Sequence, residues 1–490
     1  MKINKLLTVV LFVAALVASA CSRATLPNNY VVIVSSAVEQ DSEWMAVAEK
    51  LAEKHGADII SYTTTPRECE DALRELYPRY VAIVEKPENI GRDYVIDLHL
   101  FSRTIDDDIY ADFMWGIITG YDASAAMKMV DNSTEPLLIK DAVATIMELN
   151  SAKWFDNYAW VDDHTRGLWG EKRGRDGVIT TDTVAKEQVL RKFTDLYAAY
   201  DPDLVVTAAH ATQKNLEMPY SLGNLKPADG KLYADDRFTG EKWDLQESGK
   251  RKVYAAVGNC LIGDVNNTKE SMAIAWMNGS NAATMIGYVV TTWHGRNGWG
   301  ALKYWVSNPH RYTLSQAVYI NQQDFLHQQN EWYPELLEER YPDFEDTEFE
   351  TAPLRMAEVI GREPSTDELG FWHDRDVLAY YGDPKWDVRL QAVDAERDYS
   401  ISCRIKDGAG KCIVTINTFS NFSIERMRGD KFKQEHVLDL PFTYIFPERL
   451  KNPRAAEGQP WEMVVDENFL IVYNADFEPN SSYEIVIDID

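Results

Sequence analysis

The sequence predicts an α/β fold with a parallel sheet, followed by an all-β region. Three observations carry this: short apolar runs alternate with amphipathic segments from Tyr30 onward, helix-closing signals separate them, and past Asp394 the pattern becomes short alternating strands with turn residues.

The run 30-YVVIVSS-36 reads as a strand buried on both faces. The segment 42-SEWMAVAEKLAEKHG-56 reads as a helix closed by Gly56, then come 57-ADIISYT-63 as a strand, 67-RECEDALRELY-77 as a helix and 80-YVAIVEK-86 as a strand. A second set follows. It runs through the strand in 109-IYADFMWGIITG-120, the helix 122-DASAAMKMVDN-132 and a helix over 137-LLIKDAVATIMELN-150. An aromatic, charged loop precedes the helix 184–200 and the strand 203-DLVVTAAH-210. After a Gly/Pro/Asp-rich insertion, Gln213 to Lys252, come the strand 253-VYAAVGNC-260, the helix 271–278 and the strand 282–293. The region between Pro309 and Pro364 is helical and acidic. Its run 343-DFEDTEFE-350 lacks EF-hand spacing and reads as a solvated face, with a structural calcium ion as the alternative. The length and strand spacing of 394–490 suit an immunoglobulin-like sandwich.

At 490 residues, with 45% hydrophobic and 11% aromatic content, the chain has room for two or three packed domains. Its 78 acidic against 50 basic residues, a formal charge of −28, oppose binding to nucleic acid or anionic lipid headgroups. No GxGxxG follows the first strand and no Gly-rich Lys-Ser/Thr loop occurs, so no redox or phosphate-binding cofactor is implied.

Lys2 and Lys5 precede the apolar run Leu6 to Val17, and 18-ASAC-21 follows. This reads as an export signal over residues 1–21. Cleavage before Cys21 resembles bacterial lipoprotein processing, which would put a lipid on that thiol and tether the chain to a membrane, in the periplasm or at the cell surface. Ala18 stands where such signals usually carry Leu, so a plain secretory signal is the alternative.

Of the other cysteines, Cys69 sits in a helical segment and reads as structural. Cys403 and Cys412 flank the turn 407-DGAG-410 and face each other on a hairpin, either paired or as two core thiols. No cysteine or histidine cluster has zinc-ligand spacing, and no metal is assigned. Cys260 is left at a strand end beyond an apolar run, and His210 ends the neighbouring predicted strand. In an open parallel sheet, chemistry gathers beyond the carboxyl ends of the strands. A thiol becomes a nucleophile beside a base, and the strand-His, strand-Cys arrangement supplies one. Taken singly, each is more often a structural residue.

That order, histidine before cysteine at strand ends, resembles the caspase-like cysteine peptidases, and several segments resemble the gingipain branch. These are 257-VGNCLIGDV-265, the Ala/Met-rich 270-ESMAIAWMNG-279, the Thr/Trp turn in 286-IGYVVTTWHGRNGW-299, the opening 30–56 and 380-YYGDPKWDVRL-390. The resemblance covers Tyr30 to the C-terminus, apart from loops such as 213–252. It implies a caspase-like parallel-sheet sandwich over 28–392, in two subdomains of about 28–150 and 151–392, before an immunoglobulin-like domain over 393–490. It implies an endopeptidase acting on polypeptides. Cys260 would attack the scissile carbonyl and His210 would protonate the leaving amine. The N–H groups of Cys260 and Ala211 would hold the oxyanion. Asp112 would orient the histidine, with Asp106, Asp107 and Asp108 close by. Trp293, beside Thr292 and His294, would wall the substrate pocket.

One residue departs from the pattern. The family carries glycine after the histidine, where this chain has Ala211, and a Cβ disfavours positive φ. That favours the runner-up, a catalytically inactive relative serving as a binding or scaffold lipoprotein. A second His-Gly, His294-Gly295, follows Cys260, the reverse of the family order. A glycan-processing enzyme is a third reading, drawn from the 14 tryptophans and many acids, but no carboxylate pair stands out.

Overall fold

The computed structural model describes residues 25–27, 29–146, 154–292, 295–340, 348–391, 398–406, 410–423 and 441–490. The export signal with Cys21 and the acidic run through 347 lie outside them. Among the described residues no helix is long and apolar enough to cross a membrane. The chain forms two compact units, one holding residues 29–391 and the other residues 25–27, 398–423 and 441–490.

The larger unit is mixed α/β around a twelve-stranded sheet. Its strands are β1 (Tyr30–Ser35), β2 (Asp58–Tyr62), β3 (Tyr80–Val84), β4 (Met114–Ile118), β5 (Asp141–Ala144) and β6 (Asn157–Val161). They continue as β7 (Leu168–Lys172), β8 (Thr180–Thr183), β9 (Leu204–Thr207), β10 (Lys252–Ala256), β11 (Ala282–Tyr288) and β12 (Leu378–Gly382). The order across the sheet is β8-β7-β6-β5-β9-β10-β11-β12-β4-β3-β1-β2. Every residue of β1, β10, β11 and β12 is buried, as befits strands covered on both faces.

The sheet is parallel in two blocks of opposite sense. β6-β5-β9-β10-β11 run together, β12-β4-β3-β1-β2 run together, and β11 meets β12 antiparallel. Tyr288 lies opposite Leu378, so the carboxyl ends of β9, β10 and β11 share a rim with the amino ends of β12 and β4. β7 and β8 extend the first block as an antiparallel edge.

The crossover helices follow their sequence signals. Asp41 caps the helix Ser42–His55 by accepting from Glu43 and Trp44 N–H, and Gly56 ends it at φ 61°. Asp383, fully buried, then receives Lys54 and His55 from its last turn, at 2.8 and 2.7 Å.

Three expectations are corrected. The described part of the expected helix 137–150, residues 137–146, is not helical: Leu137–Ile139 pairs with Val388–Leu390 and 141–144 becomes β5, because the sheet takes in a run whose apolar spacing also fits a helix. The aromatic loop before the helix Val189–Tyr200 supplies β6, β7 and β8. The insertion 213–252 contributes to an antiparallel five-stranded sheet spanning Ala211 to Asp244. Its central hairpin, Asn224–Ala228 with Lys231–Asp235, turns on Asp229-Gly230, both at positive φ (49° and 72°), the two-residue Asp-Gly turn that suits strand twist.

The smaller unit is all-β, with a four-stranded and a three-stranded sheet whose inner faces meet at Tyr399 and Phe442, ring centroids 5.4 Å apart. The mixed α/β class with a C-terminal all-β region is what the sequence predicts. In the four-stranded sheet Tyr399–Lys406 pairs antiparallel with Lys411–Thr418, which puts Cys403 and Cys412 on one face. Their sulfurs stand 2.7 Å apart and both are free thiols. The contact holds Cys403 below its usual range and pushes Cys412 up. Oxidised glutathione is expected to close this pair, with Cys403 attacking and two glutathione thiols released per bond. Alkylation of the unfolded protein should then find two thiols fewer, and Cys403→Ser should abolish that loss.

Candidate active site

β9 and β10 are parallel neighbours, with Thr207 opposite Ala256. His210 lies three residues beyond Thr207 and Cys260 four beyond Ala256, so the two loops leave one rim about one strand spacing, ~4.8 Å, apart. Cys260 is half-buried and His210 exposed. The Cys260 sulfur accepts from the Thr292 N–H and the Thr292 Oγ1–H, each at 3.4 Å, the donors a sulfur anion requires.

Local geometry holds the cysteine turn taut. Leu261 sits at φ 58°, uncommon for a bulky residue and of the kind found at functional sites. Gly263 then lets the chain lie flat on β11. A Cβ there would stand 2.1 Å from the Gly287 carbonyl oxygen, while Gly263 N–H bonds Tyr288 O at 2.8 Å and Gly263 O accepts from Tyr381 OH at 2.7 Å.

The Cys260 N–H donates to no group among the described residues. Ala211 opens the short strand Ala211–Thr212, which pairs with Asn215–Glu217. Glu217 N–H bonds His210 O, so the alternation of an antiparallel ladder turns the Ala211 N–H away from that partner strand. Ala211 is not at positive φ, and the strain expected of a Cβ there is absent.

Asp112 is placed elsewhere. It precedes β4, four strand spacings or ~19 Å along the rim from β9. Its carboxyl accepts from the Ile105 and Asp106 N–H groups at 2.9 and 3.2 Å. Burial, reinforced by Asp106, pushes it up to about 9, so it is neutral at pH 7 and offers no charge to an imidazolium. Its role is to brace the loop before β4. Trp293 and His294 lie outside the described residues. Thr292 lies against the sulfur, to which it donates.

A cavity of about 990 Å³ opens beside the cysteine turn. Gln213, Leu261 and Thr291 line it close to the two loops, and Thr64, Arg67 and Arg92 line it farther out. Gln213 Nε2 bonds Asp264 Oδ2 at 2.9 Å, tying the histidine loop to the chain after Cys260. Among the described residues no group of three or more His, Cys, Asp or Glu could hold a metal ion. Cys69 is buried away from this rim at the end of Pro66–Cys69, and burial pushes its thiol up to about 11.

No family model matches the chain, and no curated protein does. Its structural neighbours are gingipain R proteinases. The Arg-specific cysteine proteinase gingipain R is similar at 11% identity over 93% of both chains, with a TM-score of 0.44. A complex of the pro- and mature domains of Porphyromonas gingivalis RgpB gives 11% identity over 91% of this chain and 93% of that one, at 0.40. A third structure, described as a protease, gives 10% over 93% of both at 0.37. Likeness at this level carries no activity with it, because fold and chemistry are separable.

Removing the Thr292 hydroxyl isolates one sulfur donor. Thr292→Val is expected to slow alkylation of Cys260 about 10-fold, the worth of one hydrogen bond to a charged group. An unchanged rate constant would mean the hydroxyl contact does no work at the sulfur.

Proposed function

We propose that the chain is a cysteine endopeptidase working through a Cys260–His210 dyad. His210 takes the Cys260 thiol proton as the sulfur attacks the peptide carbonyl, and gives that proton to the leaving amine as the C–N bond breaks. Water, losing a proton to His210, then opens the thioester and frees the acid. The N–H groups of Cys260 and Ala211 take the oxyanion. The cavity beside Leu261 receives the polypeptide. Neither a metal nor a cofactor has a part in these steps. Lipid on Cys21 would hold the enzyme at a bacterial membrane, facing the periplasm or the exterior.

The observation that carries this reading is the parallel pairing of β9 with β10, which brings the histidine and cysteine loops out side by side, the sulfur facing two donors.

A catalytically inactive, binding relative is the second reading. It is favoured by His210 being exposed with no hydrogen-bond partner for its ring among the described residues, so that nothing there steadies the imidazole. Iodoacetamide separates the two. Fast labelling at Cys260 that slows in His210→Ala, together with turnover of a peptide library, supports the peptidase. Slow labelling that ignores His210, with no turnover, supports the binding protein.

A further inference from the structure

The residue before the cysteine is an asparagine in an otherwise apolar run, and it is fully buried. Asn259 Nδ2 donates to the Ala209 carbonyl at 2.8 Å, and its Oδ1 accepts from Thr207 Oγ1 at 2.6 Å. Thr207 has one hydroxyl hydrogen, spent on Asn259, so its 2.9 Å contact with Tyr254 has the tyrosine hydroxyl as donor. Tyr254 is itself fixed by stacking on Trp276, centroids 4.0 Å apart. Thr207 and Tyr254 share the complete burial of Asn259. A buried polar chain therefore runs Tyr254, Thr207, Asn259, Ala209, every member satisfied.

Ala209 directly precedes His210, and Asn259 directly precedes Cys260. One amide thus spans the two backbones at the residues before the proposed dyad. Nothing in core packing asks for it, since an apolar side chain would fill the space without burying an amide. We propose that Asn259 is a positioning residue that sets the separation of thiol and imidazole, an inference that rests on the peptidase reading. With Asn259 gone, the Ala209 carbonyl and the Thr207 hydroxyl lose their shared partner, and the histidine loop is released from the cysteine turn. The Gln213–Asp264 bond lies farther along both loops and leaves this end open.

The test is the pH dependence of iodoacetamide labelling at Cys260 in the full chain. Wild type, His210→Ala, Asn259→Leu and the double variant are compared, with thermal melts as the control for folding. The expected result is about 10-fold slower labelling in His210→Ala with the His-dependent inflection lost. Asn259→Leu should show the same loss, and the double variant no further change. Thr207→Val should behave as Asn259→Leu, while Thr207→Ser, which keeps the hydroxyl, should restore the inflection. If Asn259→Leu does not fold, the Thr207 pair is read by the same criteria. A folded Asn259→Leu that keeps the wild-type profile overturns the positioning role and leaves the dyad standing. A wild-type profile already indifferent to His210 overturns both, because there is then no dyad to position.

Discussion

Cys260→Ala is expected to reduce peptide hydrolysis by about 10⁴-fold or more, with the fold unchanged. The thiol is half-buried at a turn that backbone bonds and the Asn259, Tyr381 and Asp264 hydrogen bonds hold without it, so the alanine costs little stability. It removes the atom that would form the acyl-enzyme, and loss of a nucleophile is not shared out among its partners. His210→Ala should follow at about 10²–10⁴-fold, the usual worth of general acid–base help. The two together should cost about as much as Cys260→Ala alone, since they act as one unit. Initial rates on a mixed peptide library, with circular dichroism as the folding control, decide it. Full activity in Cys260→Ala would remove the thiol from the chemistry altogether.

Asp383→Asn is expected to destabilise the larger unit by about 3–5 kcal/mol, the cost of breaking a buried ion pair on one side. Asp383 has no exposure and accepts from Lys54, His55, Tyr30 OH and Lys385 N–H at 2.7 to 2.9 Å. Despite the opposing cost of burial, the His55 hydrogen bond and the Lys54 charge hold its carboxyl down to about 2, against 3.8 ordinarily. A carboxyl lower in the folded state stabilises above its unfolded value, and that contribution is lost as pH falls from about 4 to about 2. It amounts to about 2 kcal/mol. His99 acts earlier in the same titration. Burial holds its ring down to about 4 against 6.5, so the folded state keeps it neutral, donating to Leu378 O at 2.9 Å, and stability drains as pH falls from 6.5 to 4. Urea melts from pH 7 to 2 should show both windows. The lower one should vanish in Asp383→Asn, and its persistence would assign acid sensitivity to other groups.

Much of the layout can be read from the residues. The apolar run 30–35, the Gly56 cap and the placing of His210 and Cys260 just beyond neighbouring strands are local patterns, and local physics suffices for them. The segment 137–150 defeats that reading because its spacing serves helix and strand alike, and a neighbouring strand decides. The antiparallel meeting of β11 and β12 is invisible for the same reason. It depends on a strand arriving from residue 378, and no run of sequence states its own direction. Asp112 looked eligible by chain order, yet the sheet's lateral order sends it four strands away. Asn259 carried a signal, a lone amide in an apolar run before a candidate nucleophile, but its partner Ala209 lies 50 positions back.

The junction of the two blocks bears on how the chain matures. β12 joins Tyr381 to the level of Ile117, 264 positions earlier, so the seam closes after nearly all of the larger unit has left the ribosome. Until then β11, seven residues buried throughout in the finished protein, and β4, which flanks the place of β12 on its other side, are bare edges. A transcript cut short before residue 378 would yield chains that stick to one another through those edges, so deletions toward the C-terminus of this unit should surface as insoluble protein.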